Sequence, residues 1–138
     1  MALEGVDWGR EDGRWYWIMM QAVWSKSLET FETILRRCDA NLRHPRFGRM
    51  LLHDVVGLGG PPEMAAMLLD AGARIGERDD LLKSTPLGWA CRWGRVEMVK
   101  LLLDRGADPV EADAEPWARP RAWVEKMGHG DRFLSAAG

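Results

Sequence analysis

Thr85-Pro86-Leu87-Gly88-Trp89-Ala90-Cys91-Arg92-Trp93-Gly94, continuing through Arg95-Val96-Glu97-Met98-Val99-Lys100-Leu101-Leu102-Leu103-Asp104-Arg105-Gly106-Ala107-Asp108, spells out one complete structural unit. Thr85 is placed to cap free backbone N–H groups, and Pro86 suits a first helical position because it has no N–H to satisfy. Gly94 predicts a tight reversal, after which a second helix runs from about Val96 to Arg105. Gly106 supplies the left-handed residue that stops it. The chain then passes through Pro109 into an extended, acid-rich stretch. The unit reads helix, turn, helix, loop.

The unit recurs. Glu63 to Ala73 superposes on Glu97 to Ala107 without a gap, and the acids Glu29, Glu63, Glu97 and Asp131 fall 34 residues apart. Leu35, Leu69 and Leu103 keep that register, as do Gly60, Gly94 and Gly128. A fixed period of this length predicts a stack of similar units, in which function comes from a shared surface. The second unit carries one extra residue in its turn, assigned to Gly59-Gly60-Pro61-Pro62, because Leu52 to Leu87 spans 35 positions while Glu63 to Glu97 spans 34. In the first unit Lys26 replaces the turn glycine and Cys38 the stop glycine. The fourth keeps Pro120, Trp123, Val124, Gly128 and His129, then offers Ser135-Ala136-Ala137 where the third has three leucines. Degenerate first and last units are what end-capping requires. The expectation is an all-α solenoid with approximate units 15–45, 46–79, 80–113 and 114–138, behind a mobile leader, 1–14.

Bulk properties narrow the function classes. With 46% hydrophobic residues a continuous core is feasible, and a formal net charge of −2 gives no reason to expect capture of nucleic acid. No segment approaches the roughly 18 consecutive apolar residues of a membrane span, and the start lacks the pattern of a secretory signal. The expected location is cytoplasmic. Cys38 and Cys91 lie two units apart, too far for a disulfide, and are expected to be reduced and structural.

Motif content then selects a family. Thr85-Pro86-Leu87-Gly88-Trp89-Ala90 resembles the ankyrin-repeat signature T-P-L-H-x-A, and Gly94 to Asp108 looks like the rest of that repeat. Leu52-His53 and Gly128-His129 match further fragments, so the resemblance covers roughly residues 15–138. Two departures stand out. Gly88 stands where the family has His, which removes a hydrogen bond that steadies the turn. Lys83 replaces the Gly expected between the strands of the inter-repeat hairpin, and irregular loops are expected there.

The resemblance implies a concave binding face lined by the ends of the first helices and by the loop tips, and a partner that is another protein. Carried over, the helix positions are Trp24 and Ser25, Gly57 and Leu58, Arg92 and Trp93, and Lys126 and Met127. The loop tips supply Arg46 and Phe47, Leu81 and Leu82, and Glu115, Pro116 and Trp117. The expected partner-binding set is Trp24, Phe47, Leu58, Leu81, Leu82, Arg92, Trp93, Trp117, Lys126 and Met127. Eight tryptophans in 138 residues favour such a surface, because Trp and Arg anchors dominate interface energetics. A core role competes at several of them. Trp89 and Trp123 read as core, while Trp93 and Trp24 stay open between core and surface. Trp15 and Trp17 are assigned to sealing the N-terminal end, and the leader with Trp8, or the Leu81-Leu82 loop, is a candidate cover for the groove. Phe47, Leu81 and Leu82 read equally as cement between loops.

Reactive chemistry is thin. His44, His53 and His129 lie in different units without metal-ligand spacing, so no metal or cofactor is expected. The periodic acids begin helices, where negative charge suits the dipole, and whole repeats separate them. No catalytic or phosphate-binding motif is present in the sequence. The reading is a monomeric, non-catalytic protein–protein interaction module, with any weak self-association running through the apolar groove. Two alternatives stay open: an immunity or inhibitor protein that blocks a partner enzyme, and a regulatory module beside a separate catalytic domain.

Overall fold

The computed structural model describes residues 14–131 apart from position 45, with side chains described from residue 16. Of the expected leader, 1–14, residues 1–13 with Trp8 lie outside the described residues, as do the Trp15 side chain and Ser135-Ala136-Ala137, while Arg14 already opens the first helix. Among the described residues seven α-helices follow one another: α1 (Arg14–Ser25), α2 (Leu28–Leu35), α3 (Leu51–Gly57), α4 (Pro62–Asp70), α5 (Pro86–Arg92), α6 (Val96–Asp104) and α7 (Pro120–Met127), with a short 3-10 turn at Pro116–Ala118. Gly130 and Asp131 are again helical. Among the described residues there is no strand, only an antiparallel bridge between Arg43 and Met50, so the fold is all-α.

The helices form two layers. α1, α3, α5 and α7 touch in sequence, α2, α4 and α6 form the second row, and each early helix packs on the one that follows it in its pair. Ile34, Leu68 and Leu102 make the buried rung of the second row. Each fully buried aliphatic side chain contributes about 1.5–3 kcal/mol. The register expected from Leu35, Leu69 and Leu103 needs refining: Leu35 is buried, Leu69 half-buried and Leu103 exposed. One position along a helix turns the side chain by about 100°, which carries Leu103 off the core face. Glu29, Glu63 and Glu97 sit exposed in the first turns of α2, α4 and α6, as the dipole argument requires.

The turn register also shifts. The left-handed turn residues are Gly59 (φ 72), Gly94 (φ 66) and Gly128 (φ 72), so Gly59 and not Gly60 is the equivalent of Gly94. The extra residue of the second unit therefore lies after the reversal, within Gly60-Pro61-Pro62, ahead of the α4 acid. Lys26 (φ 56) and Lys83 (φ 53) both adopt the left-handed shape of the glycines they replace. Cys38 does not. The chain leaves α2 through Arg36 (φ −62), and no left-handed residue follows it there. Cys38 and Cys91 are free thiols, and burial pushes both up to about 12, which keeps them protonated.

Hydrogen bonds between neighbouring units account for the departure at Gly88. His53 Nδ1 accepts the Met50 N–H at 2.9 Å, which leaves the proton on Nε2 to reach Ser84 O of the next unit, also at 2.9 Å. Burial holds His53 well below its usual range, at about 4, so it stays neutral. At Gly88 a side chain would be crowded, because a Cβ there would lie 3.0 Å from Ser84 Cβ. The connection is made from the other side: Ser84 Oγ lies 3.2 Å from Ala118 O and accepts the Trp123 indole N–H at 2.8 Å. Thr85 Oγ accepts the Gly88 N–H and donates to the buried Glu111 carboxylate at 2.6 Å, tying its helix to the following loop. Exposed ion pairs Arg43–Glu77 and Asp70–Arg105 join neighbouring units, and Arg78 reaches Asp113 across the same gap.

Candidate functional site

The loop from Asp79 to Ser84 is built around one carboxylate. Asp79 accepts the backbone N–H groups of Leu81 (3.1 Å), Leu82 (2.7 Å) and Ser84 (3.1 Å), and the Trp89 indole N–H (3.0 Å). The preceding loop uses an imidazole at the matching position: His44 Nδ1 accepts the N–H groups of Arg46 and Phe47. Burial and the nearby Arg49 and Arg46 push His44 down, which keeps that acceptor unprotonated. Asp80 N–H donates to Phe47 O and sets the two loops edge to edge.

A cavity of about 380 Å3 opens between these loop tips and the ends of α3 and α5. Phe47, Leu81 and Leu82 form its loop side; Gly57, Leu58, Arg92 and Trp93 form its helix side; Trp89, Arg49, Asp54 and Asp79 complete it. Gly57 is small for a reason: a Cβ there would stand 3.0 Å from the Trp89 ring. Of the expected partner-binding residues the structure thus gathers Phe47, Leu58, Leu81, Leu82, Arg92 and Trp93 around one space. Leu81 is the most open of them, at 69% exposure.

The other four do not line that cavity. Trp24, Trp117 and Met127 are exposed large apolar side chains, and Lys126 is exposed beside them. Met127 joins the cavity wall indirectly, since Arg92 Nη1 lies 3.4 Å from its sulfur. Lys126 lies 5.4 Å over the Trp123 ring, and Trp117 meets the same ring edge-on at 6.3 Å. Trp89 and Trp123 are core residues, as the sequence reading had them. The two open cases divide: Trp93 is half-buried against Trp89, and Trp24 is 51% exposed. Trp17 does not fit a sealing role, being half-exposed with its edge on His44.

Arg49, Asp54 and Asp79 were absent from the sequence-derived site. Asp54 aligns with Trp89 and Trp123, and an acid at a core position was the available signal. It is only 4% exposed, Arg49 Nε lies 2.6 Å from Oδ1, and Oδ2 has no protein partner. Two influences oppose here. The arginine favours the ionised form, while burial pushes the carboxyl up to about 8, and burial prevails because only one oxygen is compensated. The folded value then lies above the ordinary 3.8, so folding takes up a proton and stability falls as pH rises towards 8. His53, whose folded value is depressed, acts in the opposite direction but only below its ordinary 6.5. Between pH 6.5 and 8 the thermal midpoint should therefore decline by several degrees, and Asp54→Asn should flatten that decline. A melting series across that window checks it.

A second apolar depression of about 400 Å3 lies among α5, α6 and α7, lined by Leu87, Val99, Leu103, Pro109, Pro120 and Val124. Its lining comes from α5, α6, α7 and Pro109, and it shares no residue with the first cavity. Among the described residues no group of three or more His, Cys, Asp or Glu gathers as metal ligands would. No described helix is long and apolar enough to cross a membrane.

Comparison with known proteins decides the family. The sequence pattern described as ankyrin repeats (3 copies) matches residues 19–113. The chain belongs to the ankyrin-repeat family. Ankyrin repeat domain-containing protein 63 of Homo sapiens is 36% identical over 86 residues, 60% of this chain and 22% of that protein. Palmitoyltransferase ZDHHC13 of Mus musculus is 45% identical over 53 residues, 38% of this chain and 8% of the relative. The putative palmitoyltransferase ZDHHC13 of Danio rerio is 29% identical over 99 residues, 72% of this chain and 15% of the relative. The chain thus spans less than a quarter of each relative's length. Ankyrin repeats are generally protein–protein interaction modules and generally non-catalytic, and the cavity lies where the first helices of two successive repeats, α3 and α5, meet the loop tips.

Proposed function

We propose that this chain is a non-catalytic module that holds a partner protein in the groove between its second and third ankyrin repeats, working in the cytoplasm. One observation carries the reading. Large apolar side chains from two successive repeats, Leu58 and Leu81 foremost, surround an open cavity. Exposed apolar area concentrated in one place marks interaction surfaces. The same reading assigns the exposed Trp24, Trp117, Lys126 and Met127 to the partner surface.

A photo-crosslinking amino acid at position 58 or 81, introduced in the native host, should give a discrete adduct with a partner protein. The same group at exposed position 97, on the first turn of α6, should give none. Adducts only at position 97, or at none of the three, would remove the groove from consideration. A second reading, a regulatory module beside a separate catalytic domain, draws on the similarity to the ZDHHC13 palmitoyltransferases. It differs in one outcome, namely that the cross-linked partner is itself an enzyme.

A further inference from the structure

Arg92 is held as few surface arginines are. Its guanidinium lies 4.8 Å over the Trp93 ring and 5.0 Å over the Trp123 ring, and Nη1 points at the Met127 sulfur. A thioether is a weak acceptor. The Nε–H is buried without a partner, and no carboxylate lies within ion-pair reach among the described residues. The arginines that bridge neighbouring repeats contrast with it: Arg43, Arg78 and Arg105 all meet acids. The two rings hold the guanidinium in place, and because the sulfur is only a weak acceptor for Nη1, the Nη1–Nη2 edge is the one that can turn to a carboxylate and grip it with two parallel N–H···O bonds.

The acids on the cavity wall do not compete for that edge. Asp79 is buried under four donors, and Asp54 is buried against Arg49. The solvent-facing charge at the mouth is therefore cationic, and exposed Lys126 over Trp123 extends it. The cavity beside it is apolar and has room for one large side chain.

We infer that the groove recognises a partner segment carrying an acidic side chain for Arg92 next to a large apolar side chain for the cavity. The inference rests on the groove reading above and adds the partner's chemistry to it. Ordering costs are already met in the free protein, because Arg92 is in place before the carboxylate arrives.

The test is a selection of random displayed peptides against the full chain, followed by affinity measurements on the best binders. Enriched sequences should place Asp or Glu beside Trp, Phe, Tyr or Leu. Their affinity should fall about tenfold or more with Arg92→Gln, corresponding to one lost charge-assisted pair. It should fall less with Arg92→Lys, which keeps the charge and loses the two-pronged edge, and it should weaken as salt rises. Leu58→Glu separates this inference from the reading beneath it. Binders that lose affinity with Leu58→Glu but ignore Arg92→Gln, or that lack acidic residues, overturn the carboxylate inference and leave the groove standing. Binders indifferent to both changes, or no enrichment at all, overturn both. If Arg92→Gln lowers the thermal midpoint markedly, Arg92→Lys and the salt series carry the decision.

Discussion

Replacing Trp89 with alanine should cost the fold about 3–5 kcal/mol, lowering the thermal midpoint by about 10–20 °C. The ring lies 8% exposed between two repeats, with the His53 ring at 5.1 Å on one side and the Trp93 ring at 5.1 Å on the other. Gly57 has given up its side chain to admit that ring. Truncation therefore opens a void against a backbone that has no atoms with which to fill it. It also removes one of the four donors of Asp79. Trp89→Phe keeps most of the buried area and loses only the N–H, so it should cost markedly less. Chemical denaturation followed by far-ultraviolet circular dichroism measures both. A loss under about 1 kcal/mol for the alanine variant would mean that the indole is not a core element, contrary to the packing described.

Asp79→Ala should follow closely, at about 3 kcal/mol or more. Hydrogen bonds to a charged acceptor are each worth about 1.5–3 kcal/mol, and four converge here, although water entering the loop would recover part of the loss. Three of the four donors are backbone N–H groups of the loop that presents Leu81 and Leu82. The variant should thus lose groove binding as well as stability, whereas Asp79→Asn, which retains one good acceptor oxygen, should lose less of each. Trp89 and Asp79 share a bond, so the double variant should cost less than the two single changes added together. Additive costs would show that the loop and the helix are not energetically joined.

The helix pairs were legible because their signals are local. Thr85 and Pro86 start α5, Gly106 follows the end of α6, and the acids at 29, 63 and 97 sit in first turns, all properties of a few consecutive residues. The positions of Lys26 and Lys83 as stand-ins for glycine were legible from the repeat and the family pattern, but that both lysines take the left-handed shape is seen only in the folded backbone. The choice of Gly59 over Gly60 was less legible. Two adjacent glycines satisfy the pattern equally, and only the bonds Gly59 N–H to Val56 O and Gly60 N–H to Val55 O place the reversal. The missing histidine at position 88 was visible as a loss, but its replacement was not, because Ser84 and Trp123 stand 39 residues apart. Asp79 was missed because a loop carboxylate has no periodicity, and its four donors are assembled only by the folded turn. The division between half-buried Trp93 and exposed Trp24 depends on which neighbour stacks against each, which helical spacing does not encode.

The two apolar surfaces can be set against each other directly. Leu58 is 43% exposed at the groove, and Leu103 is 40% exposed in the second depression, so glutamate at either position should leave the fold intact. The decisive measurement is the affinity of the partner cross-linked at position 58 or 81 for Leu58→Glu and Leu103→Glu side by side. The groove account predicts a loss of about a hundredfold or more for Leu58→Glu, as for a central interface residue, and no change for Leu103→Glu. The reverse order would place the binding surface on the second helices and contradict the account.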